Sequence, residues 1–388
     1  MRNLLLHPAN PKWSDTLLFS FIVGFIVSFL ISLAFLNLAV GVITFFWLYD
    51  SFRRKEWRMD TYALLIGLFG LVRMGSIAFS RFPDVSIEAI QKEAPFYLSF
   101  FALLYFFKGM SLRSKRRIFL FLIGSGALVA VYGIVSFSLG MYERAQSVTS
   151  GYITFSIYLI PVILAAAIIL PFASKKQKLL VSTIIALGLS GIFLSLTRST
   201  IAVALVLLVI ALLMNRTPIS VYLMITGLTV VLVSGGLMMN STGIDKRANN
   251  PMELSSRDVL IKGFLDIWDE HPLTGHGPRA FRETFTRQSE LADKRTGSWH
   301  NDLIQIYIES GIFALLLFLA VNVLLAYRAF RLLPGLRVQS EEQRIIAASV
   351  LGIGGILASS LLNMVIFSPD IALMYGAFIA LFASMEAG

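Results

Sequence analysis

The sequence predicts an all-α polytopic integral membrane protein with about 12 transmembrane helices and one large extracytoplasmic loop containing short helices. Three observations carry this expectation. Of 388 residues, 56% are hydrophobic and only 14% are charged, with a mean hydropathy of +0.76; soluble domains carry about 25% charged residues. Apolar runs long enough to cross a bilayer recur along the chain. Lys and Arg gather in short clusters that alternate with those runs, as topology signals do.

Taken in order, residues 17–49 are too long for one span and break best near Asn37, giving two. Further spans read at about 60–78, 94–108, 118–139, 152–173, 179–196, 200–214 and 219–238, and after a polar stretch at about 302–328, 344–366 and 371–386. The even count puts both termini on one side. The N-terminal stretch and the loops "RRKEWR", "KGMSLRSKRR", "SKKQK", "NR" and 328–344 hold 19 Lys and Arg, whereas the opposite short loops hold Arg81, Lys92, Arg144 and Arg198. The first side therefore reads as cytoplasmic, with both termini. The chain is expected to be one transmembrane domain, 1–388, with a loop at 239–300 inserted between spans 9 and 10. "MRNLLLHPANPKWSD" lacks a cleavable signal, so the first apolar segment is expected to remain as a span.

Several chemistries are disfavoured. With no cysteine, disulfides, thiolate metal sites and cysteine nucleophiles are excluded. The net charge of +10 is spent on topology, so no nucleic-acid partner is implied. His271, His276 and His300 match no closed zinc spacing, and no D-x-D or E-x-D offers carboxylates to a divalent ion on a pyrophosphate. No metal and no cofactor are expected.

The residues that interrupt the apolar pattern are the candidates for function. In "SSRDVLIKGFLDIWDEHP", Ser255 or Ser256 caps a helix over 257–270 that Pro272 follows. At 100° per residue, Leu260, Ile261, Phe264, Leu265 and Trp268 form its apolar face. Arg257 projects onto the middle of that face, as a structural ion pair, a ligand clamp, or a first-turn side chain curling back to solvent. Arg198, in "SLTRST", sits at an extracytoplasmic hairpin where the basic-residue bias disfavours arginine, and is read as functional. Arg73, inside a span, is either functional or paired with an acid such as Glu309; Arg144 lies on a short extracytoplasmic loop.

His300 opens the helix of "GSWHNDLIQIYIESG", with Leu303, Ile304 and Tyr307 on its face and Asp302, Gln305 and Glu309 on a separate polar stripe. Such a helix is surrounded by protein or lines a cavity. The helix dipole disfavours imidazolium in the first turn, leaving a neutral base able to accept a proton. Arginines and one histidine at a membrane surface suit a lipid-linked sugar diphosphate: guanidinium groups stabilise the departing pyrophosphate while the imidazole deprotonates the acceptor hydroxyl.

"LTRST", "SSRDVLIKGFLDIWDEHPLTGHGPRAF" and "WHNDLIQIYIESGI" together resemble the O-antigen ligase and polymerase superfamily. Its pattern is an Arg after a span, an Arg-led helix ending in P-L-x-G-x-G-x-x-x-F, then H-N before a helix with E-x-G. The matching positions are Arg198, Arg257, Pro272 to Phe281, His300 with Asn301, and Glu309 to Gly311. The resemblance implies a bacterial inner-membrane enzyme whose site faces the periplasm. It would transfer O-antigen from undecaprenyl pyrophosphate to lipid A-core, with essential roles for Arg198, Arg257 and His300. Asn301, Glu309, Arg73 and Arg144 are possible supporting residues, and membrane lipids are partners. A single large periplasmic loop favours ligase over polymerase. The rivals are an O-antigen polymerase or a protein O-oligosaccharyltransferase, and, from another class, an anionic-substrate transporter or flippase.

Overall fold

The computed structural model describes residues 32–215, 257–294 and 297–386, together with Thr16, Leu17, Ser20, Phe21, Val23, Gly24, Gly227 and Val230; among these there is no strand. Helix α1, Leu33–Arg54, starts at Ser32, whose Oγ accepts from Ala34 N at 3.2 Å, and ends at Lys55 in the left-handed region (φ 55°). This moves the predicted break from Asn37 to Ser32: a serine oxygen satisfies the free amides of a helix start, and Asn37 is carried inside the helix. Helix α2, Thr61–Ser76, begins at Asp60, whose carboxylate accepts from Ala63 N at 2.8 Å. Helix α3, Pro83–Gly109, has proline in its first turn and starts well before the predicted residue 94.

Helices α4 (Leu112–Ser138), α5 (Tyr152–Ile169), α6 (Lys175–Leu194) and α7 (Arg198–Asn215) follow. The long polar segment holds α8 (Arg257–Ile267), and the chain closes with α9 (Asp302–Leu332), α10 (Glu341–Ser360) and α11 (Pro369–Met385). Seven stretches have the length and composition to cross a membrane: 34–54, 61–79, 112–138, 152–172, 175–194, 302–332 and 341–360; α7 and α11 are shorter apolar helices. The described residues thus hold seven candidate spans where the sequence predicts 12. The predicted span 219–238, the part of the loop up to residue 256 with its Ser255 or Ser256 cap, and most of the first predicted span lie outside the described residues. The predicted span 344–366 is also too long at its end, because α10 stops at Ser360 and an irregular turn follows to Ser368.

The core is built around α5, nearly every residue of which is buried between α6 and α10. Helix α3 packs along α11, and α2 along α9. Outward-facing apolar side chains such as Phe45, Leu64, Leu213 and Val323 are exposed, as suits a bundle whose solvent is lipid. One ion cluster sits inside. Arg73 on α2 is fully buried, with Nη2 2.7 Å from Glu93 of α3 and 3.0 Å from Glu309 of α9, and its guanidinium lies 4.2 Å from the Phe367 ring centre. Of the two sequence readings of Arg73, the structure has the pairing with Glu309, with Glu93 as a second partner.

The two ends of the bundle differ. At one, cations meet acids or helix ends: Lys108 pairs with Asp60 at 2.8 Å, Arg328 pairs with Glu386, and Lys115 Nζ donates to Ser384 O. At the other, the turns after α2 and α10 meet segment 257–301, and the turn after α10 also reaches the first turn of α7. Ser80 Oγ donates to His276 O at 2.9 Å, and Asn363 Nδ2 to Ser199 Oγ at 3.4 Å.

Candidate functional site

The turn 361–366 joins the residues that the sequence singles out. Arg257, first residue of α8, donates from Nη2 to Leu362 O at 2.7 Å. Asn301 Nδ2 donates to Leu361 O at 3.0 Å, while its Oδ1 accepts from Leu303 N and Ile304 N and so caps α9. Buried Asp302 accepts from Val365 N at 3.1 Å and Ile366 N at 2.9 Å. Asn363 reaches Ser199, next to Arg198 at the start of α7. One turn therefore ties together the helix starts that carry Arg198, Arg257 and His300. Sequence reading missed it because "LLNMVIF" is apolar and continues the α10 run.

Arg198 follows the turn Ser195–Thr197, where α6 ends and Leu196 takes φ 55°; the side chain is exposed. His300, also at positive φ (50°), turns the chain between Trp299 and the cap Asn301. Trp299 is buried edge-on against Phe281 and Phe285, at 5.1 and 5.5 Å between ring centres. That anchor holds a backbone conformation which histidine adopts only at some cost. Burial, and then the nearby guanidinium of Arg257, push the His300 pKa below its ordinary value, so the imidazole stays neutral to lower pH. Arg257 is itself half-buried and desolvated. Among the described residues no carboxylate pairs with it.

Helix α8 departs from its predicted packing. Leu260, Gly263 and Ile267 are its buried residues, whereas Ile261, Leu265 and Trp268 of the predicted face are about half exposed. The helix has two apolar sides, one on protein and one turned outward, as an interfacial helix has. Its protein side docks on α9, where Tyr307 Oη donates to Trp268 O at 2.8 Å and Phe264 stacks edge-on against Tyr307. The predicted polar stripe Asp302, Gln305 and Glu309 is fully internal.

After α8, "HPLTGHGPRAF" forms a strap sewn into α9. Gly311 has φ 76° and breaks the helical path. Ile308 O accepts from His276 N at 2.8 Å, Glu309 O accepts from Gly277 N at 2.9 Å, and Ile312 N donates to Pro272 O at 2.8 Å. The strap thus supplies the hydrogen bonds that the broken turn lacks. A Cβ on Gly311 would stand 2.1 Å from Leu273 O, so this position admits glycine alone.

The remaining candidates divide. Glu309 serves the ion cluster and accepts from Gln305 Nε2 at 2.6 Å. Arg144 is half-buried: its guanidinium lies 4.2 Å from the Tyr152 ring centre, and Nη1 is buried without a hydrogen-bond partner among the described residues. A small cleft lined by Phe69, Glu93, Phe96, Phe318, Phe367 and Tyr375 lies beside the ion cluster. Of the three histidines considered for metal, His271 and His276 come together with Glu270, and His300 is not among them.

The fold and this end define a polytopic helical membrane protein in which one turn joins the starts of the helices that carry Arg198, Arg257 and the His300 segment. Residues 183–319, which contain Arg198, the Arg257 helix, the strap and the His300 turn, match the family of the O-antigen ligase. That match covers about a third of the chain, and it is to a family of glycosyltransferase-like membrane enzymes. No curated protein matches the sequence.

Proposed function

We propose that the chain is an O-antigen ligase, transferring O-antigen polysaccharide from undecaprenyl pyrophosphate to a sugar hydroxyl of lipid A-core at the periplasmic face of the bacterial inner membrane. The observation that carries the reading is the half-buried Arg257, without a carboxylate partner among the described residues, beside His300, whose pKa is pushed below its ordinary value. Both are held by the 361–366 turn, which also reaches the Arg198 helix start.

In this reading the acceptor hydroxyl oxygen attacks the anomeric carbon as its proton passes to an imidazole nitrogen of His300. The C–O bond to the pyrophosphate breaks on the opposite side, inverting the anomeric configuration. The leaving pyrophosphate keeps the bond electrons, and Arg198 and Arg257 stabilise its added charge. A guanidinium already engaged by a carboxylate has less field to offer an anion. Arg257 spends one donor on a backbone carbonyl and keeps its full charge. Asn301 positions His300 by fixing the start of α9. Arg144, with its unpartnered Nη1, is a second place for a donor phosphate or sugar, and the aromatic cleft suits a polyprenyl tail.

The test uses purified protein with lipid-linked O-antigen and rough lipopolysaccharide as acceptor. Product on lipid A-core is the expected result. Longer lipid-linked chains with no such product would reassign the protein as a polymerase, and an unmodified donor carried across a vesicle membrane would make it a flippase.

A further inference from the structure

We propose that Glu270, His271 and His276 form a binding site for a zinc-class divalent cation, separate from the residues assigned to glycosyl transfer. One ligand atom from each side chain can be chosen so that all three lie within 4.8 Å of one another. His276 Nε2 stands 3.9 Å from a Glu270 carboxylate oxygen, and the two imidazole rings are 4.7 Å apart between centres, set edge to face. Two imidazoles and one carboxylate are a common donor set for zinc, with bonds of about 2.0–2.2 Å and ligand atoms roughly 3.3 Å apart. Closing from the observed separations needs a movement of about 1 Å, and the exposed Glu270 side chain has room to make it.

The second observation is the state of His276. Its residue is 6% exposed, and Nε2 is buried with no hydrogen-bond partner among the described residues. A buried imidazole nitrogen left unpaired costs free energy unless something meets it. An imidazole that carries its proton on Nδ1 presents the Nε2 lone pair to a cation, which is how metal-binding histidines are commonly oriented. Arg81 opposes a cation there, and the Glu270 carboxylate offsets it.

The position gives the metal a task. Glu270 and His271 lie just beyond α8, and His276 lies in the strap whose amides complete α9. An ion held by all three pins the end of the Arg257 helix to the strap, and through it to the span that begins beside His300. The ion acts on stability and on the placing of α8, not on the reacting bond.

The experiment uses the full chain in detergent, stripped with EDTA, dialysed, and titrated with zinc sulfate against a chromophoric zinc indicator. Thermal unfolding is followed with and without zinc. One equivalent should bind saturably and raise Tm. His271→Gln and His276→Gln should each weaken binding at least tenfold and abolish the Tm rise. Because His276 is buried, its variant can fail to fold. Glu270→Gln, at an exposed position, then carries the test, with an expected loss of about tenfold. Absence of saturable zinc binding by the unaltered chain overturns the proposal, as does equal affinity in His271→Gln and Glu270→Gln. The readout is binding rather than transfer, so its failure leaves the ligase reading untouched.

Discussion

Arg73 and Arg257 lie near the same end of the bundle in opposite electrostatic circumstances. Arg73 is fully buried and faces two carboxylates, Glu93 and Glu309, with a hydroxyl of Ser310 3.3 Å from Nη1. All three of its nitrogens donate to protein acceptors, so it joins α2, α3 and α9 and its charge is already met by carboxylates. Arg257 is half-buried, bonded to one main-chain carbonyl, and free of any acid among the described residues. The difference teaches that an arginine in an apolar setting is not functional by rarity alone. What separates structure from function here is whether the countercharge comes from the protein or must arrive with a substrate.

Substitutions sharpen this contrast, beginning with the largest effect. His300→Ala should lower transfer to lipid A-core by about 10²–10⁴-fold while thermal unfolding changes little; transfer at the original rate in membranes would end the general-base assignment. Arg73→Ala leaves two carboxylates buried and unpaired, and should destabilise the fold by about 3–5 kcal/mol, read as a lower Tm and reduced accumulation. Adding Glu93→Gln and Glu309→Gln should restore most of that loss, because the neutral amides no longer need the cation.

Arg257→Ala should behave the other way round. Stability stays nearly unchanged, and turnover falls by about 10²–10³-fold; a drop in Tm comparable to that of Arg73→Ala would move Arg257 to the structural class. The same variant alters the pH profile. His300 acts only when neutral and its pKa is pushed down, so the acid limb of activity should lie below about pH 6.5, the ordinary histidine value. Losing the Arg257 charge removes the smaller of the two causes, and the limb should shift upward while staying under that value. Smallest of all, Asn301→Ala removes the cap of α9 and should cost about 1 kcal/mol, with a modest fall in turnover from a looser His300.

Much of this was legible in the sequence. The apolar runs mark most of the helices, the break at Arg198 is where the run exceeds one span, and the stripe Asp302, Gln305, Glu309 announces a helix face turned inward. What was hidden is non-local. The 361–366 turn is as apolar as the helix before it, and only Asn363 and the Ser368–Pro369 pair mark it as a connection. The outward apolar side of α8 cannot be told from its buried side, because lipid and protein select the same residues. Glu93 stands among the polar first turns of α3, with no spacing rule linking it to Arg73. The pairing of Glu270 with His271 and His276 needs α8 to end where it does, so that the strap folds back across its last turn.

The break at Gly311 bears on how the chain is made. Ribosomal synthesis delivers residues 272–277 before 308–312, so the strap is already outside the insertion channel when α9 enters the bilayer. Until the two meet, that helix carries main-chain groups that lipid cannot satisfy. Docking of the strap is therefore a late checkpoint in assembly. A Gly311 variant that blocks it is expected to be inserted and then removed by membrane quality control, not to persist as an inactive enzyme.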